Sequence, residues 1–176
     1  AMYATDFDTA VIEAEKVREL DESYFKAWLP IAVKALSEGD VASANDAYRS
    51  MQSAGPRGAM TAQLGLADAA LFAGDYATAR ELFEHGVTLA EAAGSSYFLA
   101  TMKIGLAEAM LLLHEENNAI ADALVDAVET SGGLSREVPA ALMYLTIGDT
   151  DAANLIADKL ANNLRPQSRA YAGLIK

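Results

Sequence analysis

Apolar and polar residues follow one another with helical spacing along most of this 176-residue chain, in blocks separated by short polar breaks. Between Asp6 and Leu20, Phe7, Ala10, Val11, Ala14 and Val17 recur every three or four positions with charges between them, the spacing of an amphipathic helix. Similar blocks run over Tyr24–Ser37, Val41–Ala54, Arg57–Ala93 (interrupted at Gly74), from Ser96 toward His114, Asn118–Ser131, Ser135–Ile147, Thr150–Asn163 and Gln167–Lys176. No run of Val, Ile and Thr alternates with polar residues as a half-buried strand would. The pattern predicts an all-α chain of about ten helices.

The breaks share a chemistry. Gly39-Asp40, Gly74-Asp75 and Gly148-Asp149 each end one block and open the next. Glycine takes the left-handed conformation that closes a helix, and the aspartate carboxylate accepts from free amides at the start of the following one. Thr5-Asp6-Phe7 and His114-Glu115-Glu116 are weaker copies. Turns at 5, 39, 74, 114 and 148 are spaced 34, 35, 40 and 34 apart. A period near 34 made of helix–turn–helix units predicts an α-solenoid of stacked antiparallel helix pairs, organised as a single domain over 1–176. Ala1 before Met2 reads as a vector remnant, and the last block stops inside a helix. The expectation is a piece of a longer protein, bacterial and regulatory.

Trp28-x2-Ile31-Ala32-x2-Ala35, then Ala44-x3-Tyr48, then Pro56 resembles the tetratricopeptide repeat pattern W-x2-L-G-x2-Y, A-x3-F, P. Leu66-Ala67-x2-Ala70 with Ala79-x3-Phe83 is a second match, and Gly105-Leu106-Ala107-Glu108-Ala109 echoes Gly65-Leu66-Ala67-Asp68-Ala69. Ala140-Ala141-x2-Tyr144 with Ala153-x3-Ala157 supplies another, with Pro166 one residue late. Pro30 departs from the pattern, so its helix either starts near Ala27 or bends. Ser135 is the expected N-cap of the helix containing Pro139. The resemblance implies that Trp28, Tyr48, Tyr76, Phe83 and Tyr144 pack between helices. It also implies that the first helix of each pair lines a concave face, here Lys26, Leu29 and Val33, then Thr61, Leu64 and Asp68, then Thr101, Ile104, Glu108 and Leu112, then Val138, Leu142 and Thr146. Such a face binds a protein: an extended peptide or a partner helix with apolar anchors and some basic character. With only Lys26 as a cation there, the carboxylate clamp of some family members is absent.

Composition narrows the partner. Net charge is −12, with 13 basic against 25 acidic residues, which opposes both nucleic acid and anionic membranes, since each is held by Lys and Arg. There is no cysteine, so thiolate metal sites and disulfides are excluded; the expected location is the cytoplasm. Catalytic signatures fail one by one. His114-Glu115-Glu116-Asn117-Asn118 has asparagine where a zinc-protease motif needs its second histidine. Asp149-Thr150-Asp151 starts like a calcium loop, yet lacks the glycine and the bidentate glutamate. Ser131-Gly132-Gly133 lacks the Lys-Ser/Thr of a phosphate loop. No cofactor is expected, and His85 and His114 remain the residues on which an enzymatic reading would rest. The alternative to groove binding is self-association into a homodimer or larger assembly.

Overall fold

The computed structural model describes residues 6–176. Among them are ten α-helices and no strand: α1 (Phe7–Leu20), α2 (Trp28–Ser37), α3 (Val41–Arg49), α4 (Gly55–Phe72), α5 (Tyr76–Ala92), α6 (Ser96–Leu112), α7 (Asn117–Thr130), α8 (Leu134–Thr146), α9 (Thr150–Ala161) and α10 (Pro166–Ile175). A 3-10 turn, Phe25–Ala27, precedes α2. The chain is an all-α helical-repeat fold. No helix of the described residues is long and apolar enough to cross a membrane.

Each glycine-aspartate pair closes one helix and opens the next. At the first, Gly39 (φ +78) donates to Leu36 O at 3.0 Å and Asp40 N to Ala35 O at 2.9 Å. These are the paired bonds of a Schellman ending. The same Asp40 then accepts from Ser43 N at 3.0 Å as the N-cap of α3. Asp75 and Asp149 repeat both roles, accepting from Thr78 N at 3.2 Å and Ala152 N at 3.0 Å. Asp6 caps α1 through Thr9 N at 3.1 Å, while Thr5 of that weaker copy lies outside the described residues. At the degenerate turn His114 itself takes the left-handed place (φ +57), and Glu115 N completes the bond to Met110 O at 3.1 Å. There α7 begins at Asn117, one residue before the expected Asn118, with Glu116 as its N-cap and no side-chain bond.

The prolines sit where backbone chemistry directs, with one exception. Pro30 lies in the first turn of α2, Pro56 in that of α4, and Pro166 starts α10; an amide there has no intrahelical partner to lose. Pro139 differs. Ser135 is not the cap: α8 begins at Leu134 with Gly133 as N-cap, which places Pro139 inside the helix. Arg136 N and Glu137 N both donate to Gly133 O at 2.9 Å, which draws the helix start back by two positions.

The helices form two compact units, one ending at Ala93 and one spanning Gly94–Lys176. In unit one, Ala32, Ala44, Tyr48, Met51, Ala62 and Leu66 form the core, with Phe25, Trp28 and Leu82 against them. Unit two has its own core, built on Ile104, Met110, Ile120, Leu124, Tyr144, Ile156 and Leu160. Alanines dominate both, because close helix contact requires small side chains at the crossing. Of the aromatics expected to pack, Tyr48, Phe83 and Tyr144 are buried; Trp28 and Tyr76 are half-buried.

Candidate functional site

The first helices of the hairpins carry the candidate residues. In unit one these are α2 and α4. Lys26 is exposed, on the 3-10 turn rather than on an α-helix. Leu29 and Val33 of α2 are half-buried, and Leu29 packs on the core. On α4, Thr61, Leu64 and Asp68 follow helical spacing along one face; the first two are half-buried and Asp68 is exposed. The Asp68 charge acts on Tyr48, whose hydroxyl is pushed up in pKa first by burial and then by this carboxylate.

In unit two, α6 and α8 pack against one another. Thr101, Glu108 and Leu112 of α6 reach the surface, as do Leu142 and Thr146 of α8, while Val138 is half-buried against the core. Ile104 does not belong with them. It is buried in the unit-two core, because its side chain leaves α6 toward the neighbouring helices rather than along the Thr101–Glu108 line. Leu142 is 50% exposed and Leu112 38%, and Tyr97 of α6 and Leu145 of α8 also reach the surface.

The threonines alter the chemistry of these faces. Thr61 donates to Arg57 O at 2.8 Å, Thr101 to Tyr97 O at 2.8 Å and Thr146 to Leu142 O at 2.9 Å. Each hydroxyl proton is committed to its own helix, four residues back. What remains to offer is a methyl group and oxygen lone pairs. The faces are more apolar than their composition suggests.

Sequence reasoning missed three features. Arg136 is buried and returns to the α7–α8 loop, donating through Nε to Ser131 O at 2.7 Å and Nη2 to Gly132 O at 2.6 Å, with its guanidinium 5.0 Å from the Tyr97 ring centre. The Arg18 guanidinium lies 3.7 Å over the Trp28 ring, beside a cleft bordered by Glu15, Glu19 and Glu22. A small apolar notch opens between α7, α8 and α9. None has a local signature; each needs partners from separate helices. His85 and His114 are both exposed, and no group of three His, Cys, Asp or Glu among the described residues is placed to hold a metal ion.

No family model and no curated protein matches the sequence. Solved structures do. TTC0263, described as a thermophilic TPR protein in Thermus thermophilus, superposes with a TM-score of 0.69 at 17% identity, over 99% of this chain and 93% of that one. The fold is that of a tetratricopeptide-repeat protein. BtubC (BKLC) from P. vanneervenii superposes with a TM-score of 0.71 at 20% identity, over 96% of this chain and 80% of its own. At these identities the shared property is the helical-repeat fold.

Proposed function

We propose that this chain is a non-catalytic interaction module whose first-helix faces hold a peptide or partner helix bearing apolar anchors and basic residues. The tetratricopeptide fold suggests a protein-interaction scaffold. The observation that carries the finer reading is the pair Leu112 and Leu142, exposed on two helices that pack together, with the exposed carboxylate of Glu108 one turn from Leu112. Burying two such leucines supplies affinity, and the carboxylate selects a cation beside them. Preformed helices present the surface without an ordering cost.

The test is an array of amphipathic Leu/Lys and Leu/Glu peptides probed with the full chain, followed by calorimetric titration of the tightest binder. Leu142→Glu with Glu108→Lys is expected to weaken that binder about tenfold or more, as loss of a central anchor does. The parallel pair Asp68→Lys and Glu108→Lys probes charge alone. If neither pair moves the affinity of any binder, the assignment of the first-helix faces fails. Self-association is the rival reading, favoured by the exposed Leu174 of α10; a molar mass that stays monomeric across a concentration series removes it.

A further inference from the structure

We propose that unit two carries a second docking surface, between α7, α8 and α9: a notch that receives one aliphatic side chain of a basic partner segment. Val125, Val128 and Glu129 of α7, Tyr144 of α8, and Ala152, Leu155 and Ile156 of α9 line it, and the open depression between them offers about 170 Å³. An apolar cavity of roughly 150 Å³ accepts a benzene molecule, so a leucine or methionine side chain is the right bulk. The phenol of Tyr144 donates to Ala121 O at 3.4 Å. At the mouth stand two large apolar side chains in water, Leu155 at 74% exposure and Val125 at 45%. A pocket flanked by solvated apolar residues is built to be covered.

Charge identifies what covers it. Glu129 borders the notch, and helical spacing sets Asp122 and Glu129 on either side of Val125, with Asp151 one turn before Leu155. Asp149, Asp122 and Glu129 all act on the Tyr144 hydroxyl and, after burial, help raise its pKa. The cations of these helices are engaged elsewhere: Lys159 on α9 is bound to Glu137 at 2.6 Å, and α7 has no Lys or Arg. A second copy of a chain with net charge −12 would press acid against acid. A segment with lysine or arginine on each side of its apolar anchor complements both features.

The surface is separate from the first-helix faces, so its test separates too. The probe is a fluorescein-labelled amphipathic Leu/Lys peptide, titrated into the full chain by anisotropy, with methyl NMR of Val125, Leu155 and Ile156 in parallel. Ala152→Leu fills the notch without changing charge; Leu155→Glu changes only an exposed position and leaves folding intact. Each is expected to weaken the notch-bound component about tenfold, and the three methyl resonances are expected to shift on binding. The first-helix variant Leu142→Glu/Glu108→Lys is expected to leave those shifts in place. Unchanged affinity in both notch variants, or unmoved methyl resonances, overturns the proposal. A dimer abolished by Leu155→Glu overturns it as well, because the occupant would then be a second copy.

Discussion

A Cβ placed on Gly65 would be driven into the ring of Tyr48, which packs on this stretch of α4 from α3, whereas a Cβ on Gly173 of α10 would meet open space. Gly65→Ala gains about 1 kcal/mol of helix propensity but overpacks the contact, which costs about 1–3 kcal/mol and typically wins. Gly173→Ala keeps the gain of up to about 1 kcal/mol. Urea unfolding at unchanged slope is expected to show the two midpoints moving in opposite directions. His114 holds, at a cost, a left-handed backbone that glycine would adopt freely, so His114→Gly is expected to add about 1 kcal/mol in the same assay. At Asp40, hydrogen bonds from the Ser43 hydroxyl and amide hold the carboxyl below its ordinary 3.8. A folded value below the unfolded one means that this stabilisation is complete above about pH 5 and disappears as pH falls through the folded value. Asp40→Asn still caps α3 but does not titrate. Its stability is therefore expected to fall less steeply than that of the native chain below about pH 4, measured by denaturant unfolding at a series of pH values. Gly39-Asp40 was legible in the sequence because a left-handed turn and a cap are decided by neighbours within five residues. The backbone of His114 and the packing of Gly65 were not, since the first breaks the residue preference and the second depends on another helix.

The α7–α8 connection shows how an element boundary is set from outside the local pattern. Ser135 has the right side chain for a cap, yet the helix starts at Leu134, because Arg136 folds back on Ser131 O and Gly132 O and binds the loop to the new helix. Its fork also reaches Ser135 Oγ at 3.3 Å through Nη1. Beside it, the buried Glu137 pairs with Lys159 of α9 at 2.6 Å, and a Cβ on Gly132 would stand 2.9 Å from Glu137 Oε1. Lysine cannot reproduce a planar fork that serves two carbonyls at once. Arg136→Lys is expected to cost about 2 kcal/mol, the scale of a charged hydrogen bond lost from a buried site. The loss is expected to appear first as faster amide exchange over 131–137, with the amides of the last two turns of α6, away from Tyr97, unaffected. Pro139 belongs to the same boundary: with the start moved back to Leu134, its missing N–H falls where Ser135 O would have been paired. The periodic apolar positions that reveal a helix carry no record of an arginine returning to a loop, so element existence was legible here and the start was not.

At the level of the molecule, the period near 34 was readable because every hairpin must shelter its apolar side against a neighbour, which repeats the same small and large residues. The division at Ala93/Gly94 was not readable: Gly94 (φ +62) ends α5 much as Gly39 ends α2. The burial of Ile104 is of the same kind, since spacing places it with Thr101 and only the packed partners of α6 show where it goes. The two cores have no residue in common, and in repeat proteins stability is approximately a sum of unit and interface contributions. Two reporters separate them. The only tryptophan of the chain, Trp28, lies against the unit-one core, and Leu124 is fully buried in that of unit two. Leu124→Ala removes packing worth about 2–5 kcal/mol. In denaturant it is expected to bring forward the loss of helix signal from unit two, while the Trp28 fluorescence transition keeps its midpoint. A fluorescence midpoint that moves together with the circular dichroism would instead mean one cooperative block. In that case a ligand bound to the notch on α7 and α9 would stabilise Trp28 as well, because binding to the folded state raises the stability of everything that unfolds with it.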